Sequence, residues 1–175
     1  NDKITLLSTF TRMTPVGQST LLSKVKSIYA DNRTNMYGAL IKALEQIKER
    51  GDTTRNASIY LFTDGLSNVG VPAKGELKGL TNYMNTNFKN SIRPTICTFG
   101  FGSNLNSDSL SKIADIGDGW YCYIPDATFV GTIFVNSIAN TLSINATNVM
   151  LDLCVSNHNS KKDMGKYPLG MIQHG

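Results

Sequence analysis

Short apolar segments alternate with longer segments of helical period through most of this sequence, and that alternation restricts the fold more than any other feature. The clearest apolar segment, 57–63, has the length of a strand and is rich in β-branched and aromatic residues. It lies between two segments that carry apolar residues at helical spacing, 36–50 and 74–88. Strands and helices that alternate in this way are typical of parallel βαβ units. We therefore expect an α/β fold with a doubly wound, mostly parallel sheet and helices on both faces.

The remaining segments continue the alternation. Thr14 and Pro15 predict a helix start, with the threonine as N-cap and the proline at the first helical position. The continuous apolar character of 57–63 predicts a strand buried on both faces. The other expected elements are strands at 3–10, 93–101 and 120–124, and helices at 15–29, after a Ser107 cap and at 126–142.

The pattern changes after Ala146. Residues 149–155 alternate like a half-exposed strand, and 156–175 are polar and rich in glycine and lysine, without a helical period. We predict a first domain over 1–146. Residues 147–175 are expected to be the start of a second, β-rich domain or a tail.

Composition excludes several classes of function. Hydrophobic residues make up 41% and charged residues 17% of the 175 residues, which is a globular balance. Lys161, Lys162 and Lys166 near the C-terminus supply three of the positive charges behind the net charge of +4. The other basic residues are scattered over predicted helices, which argues against a nucleic-acid surface. No apolar run approaches the roughly 20 residues of a membrane-spanning helix. The cysteines, at 97, 122 and 154, are odd in number and far apart, so we expect reduced, mostly buried thiols, which favours an intracellular over a secreted protein.

Two polar residues are expected at the carboxyl ends of the strands, where open parallel sheets bind their ligands. Asp64 directly follows the strand at 57–63, and Thr34 precedes the helix that leads into that strand. This topology can bring the Thr34 hydroxyl beside the Asp64 carboxylate, and both are oxygen ligands that Mg²⁺ accepts. Two simpler interpretations stay open: Asp64 can begin a turn, and Thr34 or Asn35 can cap the helix.

Four segments together resemble a known family. TNMYGAL at 34–40 and IYLFTDG at 59–65 are similar to the middle of a von Willebrand factor A domain. FGFG at 99–102 and GDGWYCYIPD at 117–126 resemble the fifth and sixth strands of that family with their connections. The resemblance covers about residues 3–145 and implies a Rossmann-like fold.

The resemblance also implies a metal-ion-dependent adhesion site. In that family Mg²⁺ or Mn²⁺ is held by an Asp-x-Ser-x-Ser loop after the first strand, a threonine and an aspartate. Thr34 matches the threonine and Asp64 the aspartate, whereas the Asp-x-Ser-x-Ser loop has no counterpart here. Because 3–10 matches the third strand of the family, we expect the first two strands and the metal loop to lie outside this sequence. The chain alone should then bind the ion weakly or not at all.

The function that the resemblance implies is binding of another protein, without catalysis. An acidic side chain of the partner would complete the coordination shell of the ion, and Asn35, Ser67 and Asn68 are expected on the partner-binding rim. Two alternatives remain. A hydrolase or phosphotransferase could use Asp64, but it would need a second catalytic group at a neighbouring strand end. The domain could also be structural, with a vestigial metal site.

Overall fold

The computed structural model describes residues 3–29, 33–52, 54–89, 93–103, 105–157 and 160–173. The first three strands form a parallel sheet in which they lie in chain order, and the last two form a separate antiparallel hairpin. The expected α/β class is confirmed. The helices are α1 (Pro15–Lys26), α2 (Met36–Arg50), α3 (Glu76–Asn87), α4 (Ser107–Ile116) and α5 (Val130–Leu142), the last preceded by a 3₁₀ turn at Ala127–Phe129. The strands are β1 (Ser58–Thr63), β2 (Thr95–Phe101), β3 (Tyr121–Ile124), β4 (Ile144–Asn157) and β5 (Ser160–Gln173).

The chain divides into two compact units, one up to Tyr123 and the other from Ile124 onward. In the first unit the core lies between α2, α3, α4 and the sheet. Leu40 and Leu44 are buried at helical spacing on α2, as the periodicity predicts. Burial of each such side chain stabilises the fold by about 1.5–3 kcal/mol. The buried residues of this core are Met36, Leu40, Leu44, Leu80, Met84, Phe88, Ile96, Leu110 and Ile113.

β2 is the central strand of the sheet, and residues 95–100 are all buried. Gly119 explains how closely the next segment approaches it: a Cβ atom there would overlap the Ile96 carbonyl oxygen. The chain that leads into β3 therefore passes against β2. Here the Ile96 amide donates to Gly117 O at 3.0 Å, and the Thr98 amide donates to Trp120 O at 3.0 Å.

The prediction that β1 is buried on both faces is wrong for this chain. β1 is paired in register with β2 and lies at the edge of the described sheet. Three of its six residues are half-buried, and Ser58 and Phe62 are exposed, Phe62 to 41%. The apolar composition identified the strand correctly. Burial also depends on neighbours, and a local pattern does not specify them.

The expected strand at 3–10 is also not found. Residues 4–13 carry no regular secondary structure, and no described strand lies hydrogen-bonded to them. A strand is defined by a partner that satisfies its backbone groups, so an apolar sequence without one remains irregular. The next helix, α1, begins as predicted, with the Thr14 hydroxyl accepting from the Gly17 amide at 3.2 Å.

The apolar residues at helical spacing in and just after α1 are more exposed than their pattern predicts. Leu22 is 56% exposed, and Val25 and Ile28 are similarly exposed. The sequence thus predicted the helix and its start correctly, whereas it did not predict the solvent exposure of its apolar residues.

The cysteines are free thiols in three different environments. Cys97 is buried in β2, and this burial raises the pKa of its thiol to about 11. Burial also raises the pKa of Cys122, which is half-buried. Cys154 is exposed. The sequence predicted mostly buried thiols, and of the three only Cys97 is fully buried.

The second unit contains α5 and the hairpin of β4 and β5. In the hairpin Leu151 pairs with Tyr167 and Asp152 with Lys166, whose charged groups lie 3.7 Å apart. Residues 160–173 therefore form a strand where the sequence showed only a polar tail. The domain boundary at 146/147 remains a prediction.

Candidate functional site

The carboxyl end of β1 opens into a cavity of about 410 Å³. Three segments line it: 3–5, the start of α2 with the residues before it, and 61–64. Thr34 and Asp64, the two candidate metal ligands, both contribute to its wall. The topology that the sequence implies thus brings these two residues to one concave surface.

The Thr34 hydroxyl lies close to the turn that follows Asp64. A Cβ atom added at Gly65 would be 4.0 Å from Thr34 Oγ1, which is ordinary contact distance. The turn is fixed from the strand side as well, since the buried Thr63 hydroxyl donates to Gly65 O at 3.1 Å. Asp64 itself is exposed, so its carboxylate is accessible to an ion or a partner.

Asn68 joins the two segments that carry the candidate ligands. The Thr34 amide donates to Asn68 Oδ1 at 3.0 Å, and the Asn68 amide donates to Thr34 O at 3.1 Å. The Val69 amide donates to the same carbonyl oxygen at 3.4 Å. The side-chain carbonyl oxygen of Asn68 thus accepts a hydrogen bond from Thr34, and its place on a partner-binding rim stays a prediction.

Asn35 forms a second connection between the same segments. Its side chain caps α2, because Asn35 Oδ1 accepts from the Gly38 amide at 2.9 Å. The cap is therefore Asn35, one of the two residues that the sequence left open. The Asn35 side chain also lies against Gly70, where a Cβ atom would overlap its amide group and where φ is +72°. Gly70 is thus required for both its conformation and its size.

Ser67 ties the loop after β1 to α3. Its hydroxyl donates to Glu76 Oε1 at 2.5 Å, and Glu76 is the first residue of that helix. A carboxylate in the first turn also interacts favourably with the helix dipole. Both residues line a second cavity of about 240 Å³ with Asn106 and Ser109. Ser67 therefore faces a neighbouring cavity and does not line the one that contains Asp64.

Basic residues that the sequence analysis did not select also line the Asp64 cavity. Lys3 and Arg33 contribute to its wall beside Thr34. Their positive charge favours an acidic ligand and weakens the attraction of this surface for a cation. Basic residues scattered along a sequence do not indicate which of them converge, so this feature could not have been foreseen.

The oxygen donors at the cavity are too few to enclose an ion without water. Within the described ranges, no group of three or more His, Cys, Asp or Glu residues is arranged to hold a metal. Asp64 and Thr34 supply one carboxylate and one hydroxyl, whereas Mg²⁺ usually keeps several waters and takes one or two carboxylates. The residues present therefore fit a weakly held, largely hydrated divalent ion and do not form a closed protein cage, and the charges of Lys3 and Arg33 reduce its affinity further.

Comparison with known proteins shows a similarity of fold to a solved structure. No family model and no curated protein matches the sequence. Among solved structures, the von Willebrand factor type A protein from Catenulispora acidiphila superposes with a TM-score of 0.72 at 20% identity. The match covers 94% of this chain and 42% of that one. An uncharacterized membrane spanning protein from Vibrio fischeri matches with a TM-score of 0.40 and 20% identity, over 70% of this chain and 65% of that one, which is too low to inform the fold.

Proposed function

We propose that this chain, whose fold is of the von Willebrand factor A type, is a protein-binding module that engages an acidic partner residue through Mg²⁺ or Mn²⁺ at the carboxyl end of β1. The observation that carries the proposal is the shared cavity, which contains both Thr34 and Asp64. The fold is generally that of a binding module. The chain spans 42% of the length of the solved structure that it matches, so the partner and the complete activity are proposals as well.

Each residue has a defined part in the proposed site. The Asp64 carboxylate binds the ion directly or through water, and the Thr34 hydroxyl adds a second oxygen. When bound, the ion would offer an open coordination position to a carboxylate of the partner. Lys3 and Arg33 add to the attraction of that acidic group by their charge. The rim residues Asn35 and Ser67 act by holding the loops.

Among the described residues, no helix is long and apolar enough to cross a membrane. The enzymatic alternative has less support at this site. A hydrolase or phosphotransferase would need a second catalytic group beside Asp64, and β2 ends in Gly100 and Phe101 at the neighbouring position. Intracellular localisation remains a prediction from the cysteine pattern.

Mn²⁺ titration of the isotope-labelled chain tests the proposal, because paramagnetic broadening detects weak binding. We expect broadening first at the Asp64 and Gly65 amides. Asp64→Ala should weaken the effect at least about tenfold, the loss that even an outer-shell partner of a metal ligand causes. Leu66→Ala, an exposed change in the same loop, is the matched control and should leave it unchanged.

Acetate then supplies the carboxylate of a partner in the simplest form. If acetate displaces water from the bound Mn²⁺, the water-proton relaxation rate of the wild-type complex should fall. Equal broadening in wild type and Asp64→Ala would refute the site. Hydrolysis of a phosphate or acyl ester that depends on Asp64 would support the enzymatic alternative, and ion-independent behaviour throughout would support the structural one.

A further inference from the structure

We infer that Asn68 is a positioning residue of the proposed ion site, which fixes Thr34 beside Asp64 and so sets the spacing of the two candidate ligands. The inference rests on the proposed function, since this spacing matters to an ion only if one binds there. It concerns a residue that does not itself contact the ion. The rim role that the sequence suggested for Asn68 stays a separate prediction.

The argument begins with the position of Thr34 relative to α2. The helix is capped by Asn35, whose carbonyl oxygen accepts from the Ala39 amide at 3.2 Å. Thr34 precedes the cap, so the hydrogen bonds of the helix do not fix its backbone. A residue one position outside a helix is free to change conformation unless another segment holds it.

Asn68 and Val69 supply that hold from a distant part of the sequence. Three hydrogen bonds join them to the Thr34 backbone, one to its amide and two to its carbonyl oxygen. The pairing of Thr34 with Asn68 is reciprocal, because each backbone amide donates to the other residue. The side chain of Asn68 is needed for this reciprocity, since its Oδ1 is the acceptor for the Thr34 amide.

The loop that carries Asn68 is itself held on both sides. Ser67 is hydrogen-bonded to Glu76 of α3, and Gly70 lies against the Asn35 side chain. Asn68 therefore transmits the position of an anchored loop to Thr34. Because Asp64 begins the same loop, both candidate ligands are held in position by that loop. Such preorganisation lowers the ordering cost of binding an ion.

Hydrogen exchange of the Thr34 amide tests the positioning contact without any ion. We expect this amide to exchange at least about fivefold faster in Asn68→Ala, which corresponds to the loss of one ordinary hydrogen bond. Asn68→Asp keeps the acceptor oxygen and should restore protection, and Leu66→Ala should not change it. Amides of β2 serve as the check that the fold is retained. In the wild type, a through-hydrogen-bond coupling between the Thr34 nitrogen and Asn68 Cγ measures the same contact without substitution.

Mn²⁺ broadening then links the contact to the ion. In the wild type we expect the Thr34, Asp64 and Gly65 amides to broaden together. In Asn68→Ala the broadening at Thr34 should fall relative to Asp64, and the apparent Mn²⁺ affinity should drop about tenfold, as for other residues that orient a ligand. If Asn68 acted only on folding, the ratio of the broadening at Thr34 to the broadening at Asp64 would stay unchanged.

The two proposals fail in different ways. An unchanged Thr34 exchange rate in Asn68→Ala, or no coupling in the wild type, overturns the positioning role whatever the ion does. A normal contact with no Mn²⁺ broadening at either loop in the wild type overturns the proposed function, and the pairing is then a structural link only. Broadening that keeps the same Thr34-to-Asp64 ratio in Asn68→Ala overturns the inference while leaving the ion site intact.

Discussion

β1 and β2 are paired strands of similar composition in one sheet, but they differ in how they are stabilised. Residues 95–100 of β2 are all buried, whereas β1 lies at the edge of the described sheet and only Thr63 of its six residues is buried. The loop after β1 is nevertheless connected to α2 and α3 by hydrogen bonds. The comparison teaches that, in this unit, packing stabilises the centre of the sheet and polar contacts stabilise the candidate site at its edge.

The largest effect should come from removing an aromatic side chain at the centre. Phe99 of β2 is 0% exposed and stacks on Phe62 of β1, with ring centroids 4.6 Å apart. Phe99→Ala should reduce the free energy of unfolding by about 3–5 kcal/mol. Phe62→Ala should cost only about 1–2 kcal/mol, because that ring is already partly in water. The smaller cost follows from the edge position of β1, which the sequence predicted to be buried on both faces.

Denaturant-dependent hydrogen exchange at the Ile96 and Thr98 amides measures both variants locally, since these amides donate to the segment that leads into β3. Equal losses of stability in the two variants would mean that β1 is as well packed as β2, which would contradict the difference between the two strands.

The sequence predicted elements better than it predicted their surroundings. The period of α2 and the β-branched composition of β2 identified both, because these patterns are local. The irregular conformation of residues 4–13 and the edge position of β1 could not be predicted, since they depend on which strands pair. At the site, topology was enough to bring Thr34 and Asp64 to one cavity. The Asn68 contact joins residues 34 positions apart through a side chain, and nothing in a polar loop distinguishes such an asparagine.

Gly70 and Gly65 test whether the loop after β1 is rigid. Gly70→Ala places a side chain at φ +72° and against the Asn35 amide, so it should cost about 2–3 kcal/mol. Gly65→Ala should change stability by about 0.5 kcal/mol or less, because its nearest contact would be Thr34 Oγ1 at 4.0 Å. Exchange of the Gly38 and Thr34 amides reports the local effect. Equal tolerance at the two glycines would show that the loop can rearrange around Asn35.

Alkaline pH should act on the centre of the sheet through Cys97. Its thiol has a pKa of about 11 in the folded chain against an ordinary value of 9.0. Between these values the unfolded chain releases the proton first, so stability is complete below about pH 9 and falls as the pH rises towards 11. The loss is on the order of 2 kcal/mol.

Unfolding measured from pH 8 to 11 in the wild type, Cys97→Ala and the exposed control Cys154→Ala isolates this contribution. The slope should flatten in Cys97→Ala alone. The same burial predicts that a thiol reagent at neutral pH modifies Cys154 well before Cys97. Modification of Cys97 at a comparable rate would show that β2 opens more readily than its packing indicates.

The smallest expected effect concerns the link between the loop and α3, and a double-mutant cycle at Ser67 and Glu76 measures it. The Ser67 hydroxyl donates to the Glu76 carboxylate, so each single alanine variant removes the same contact. Because Glu76 also stabilises the first turn of α3 through the helix dipole, its single variant should cost more than Ser67→Ala. The cycle subtracts that difference and should leave a coupling of about 1 kcal/mol. Ser103→Ala, an exposed serine at the end of β2, is the control and should show no coupling to Glu76. A coupling near zero at Ser67 would mean that the loop is fixed from α2 alone, through Asn35 and Asn68, and that the edge of the sheet has one anchor where the geometry indicates two.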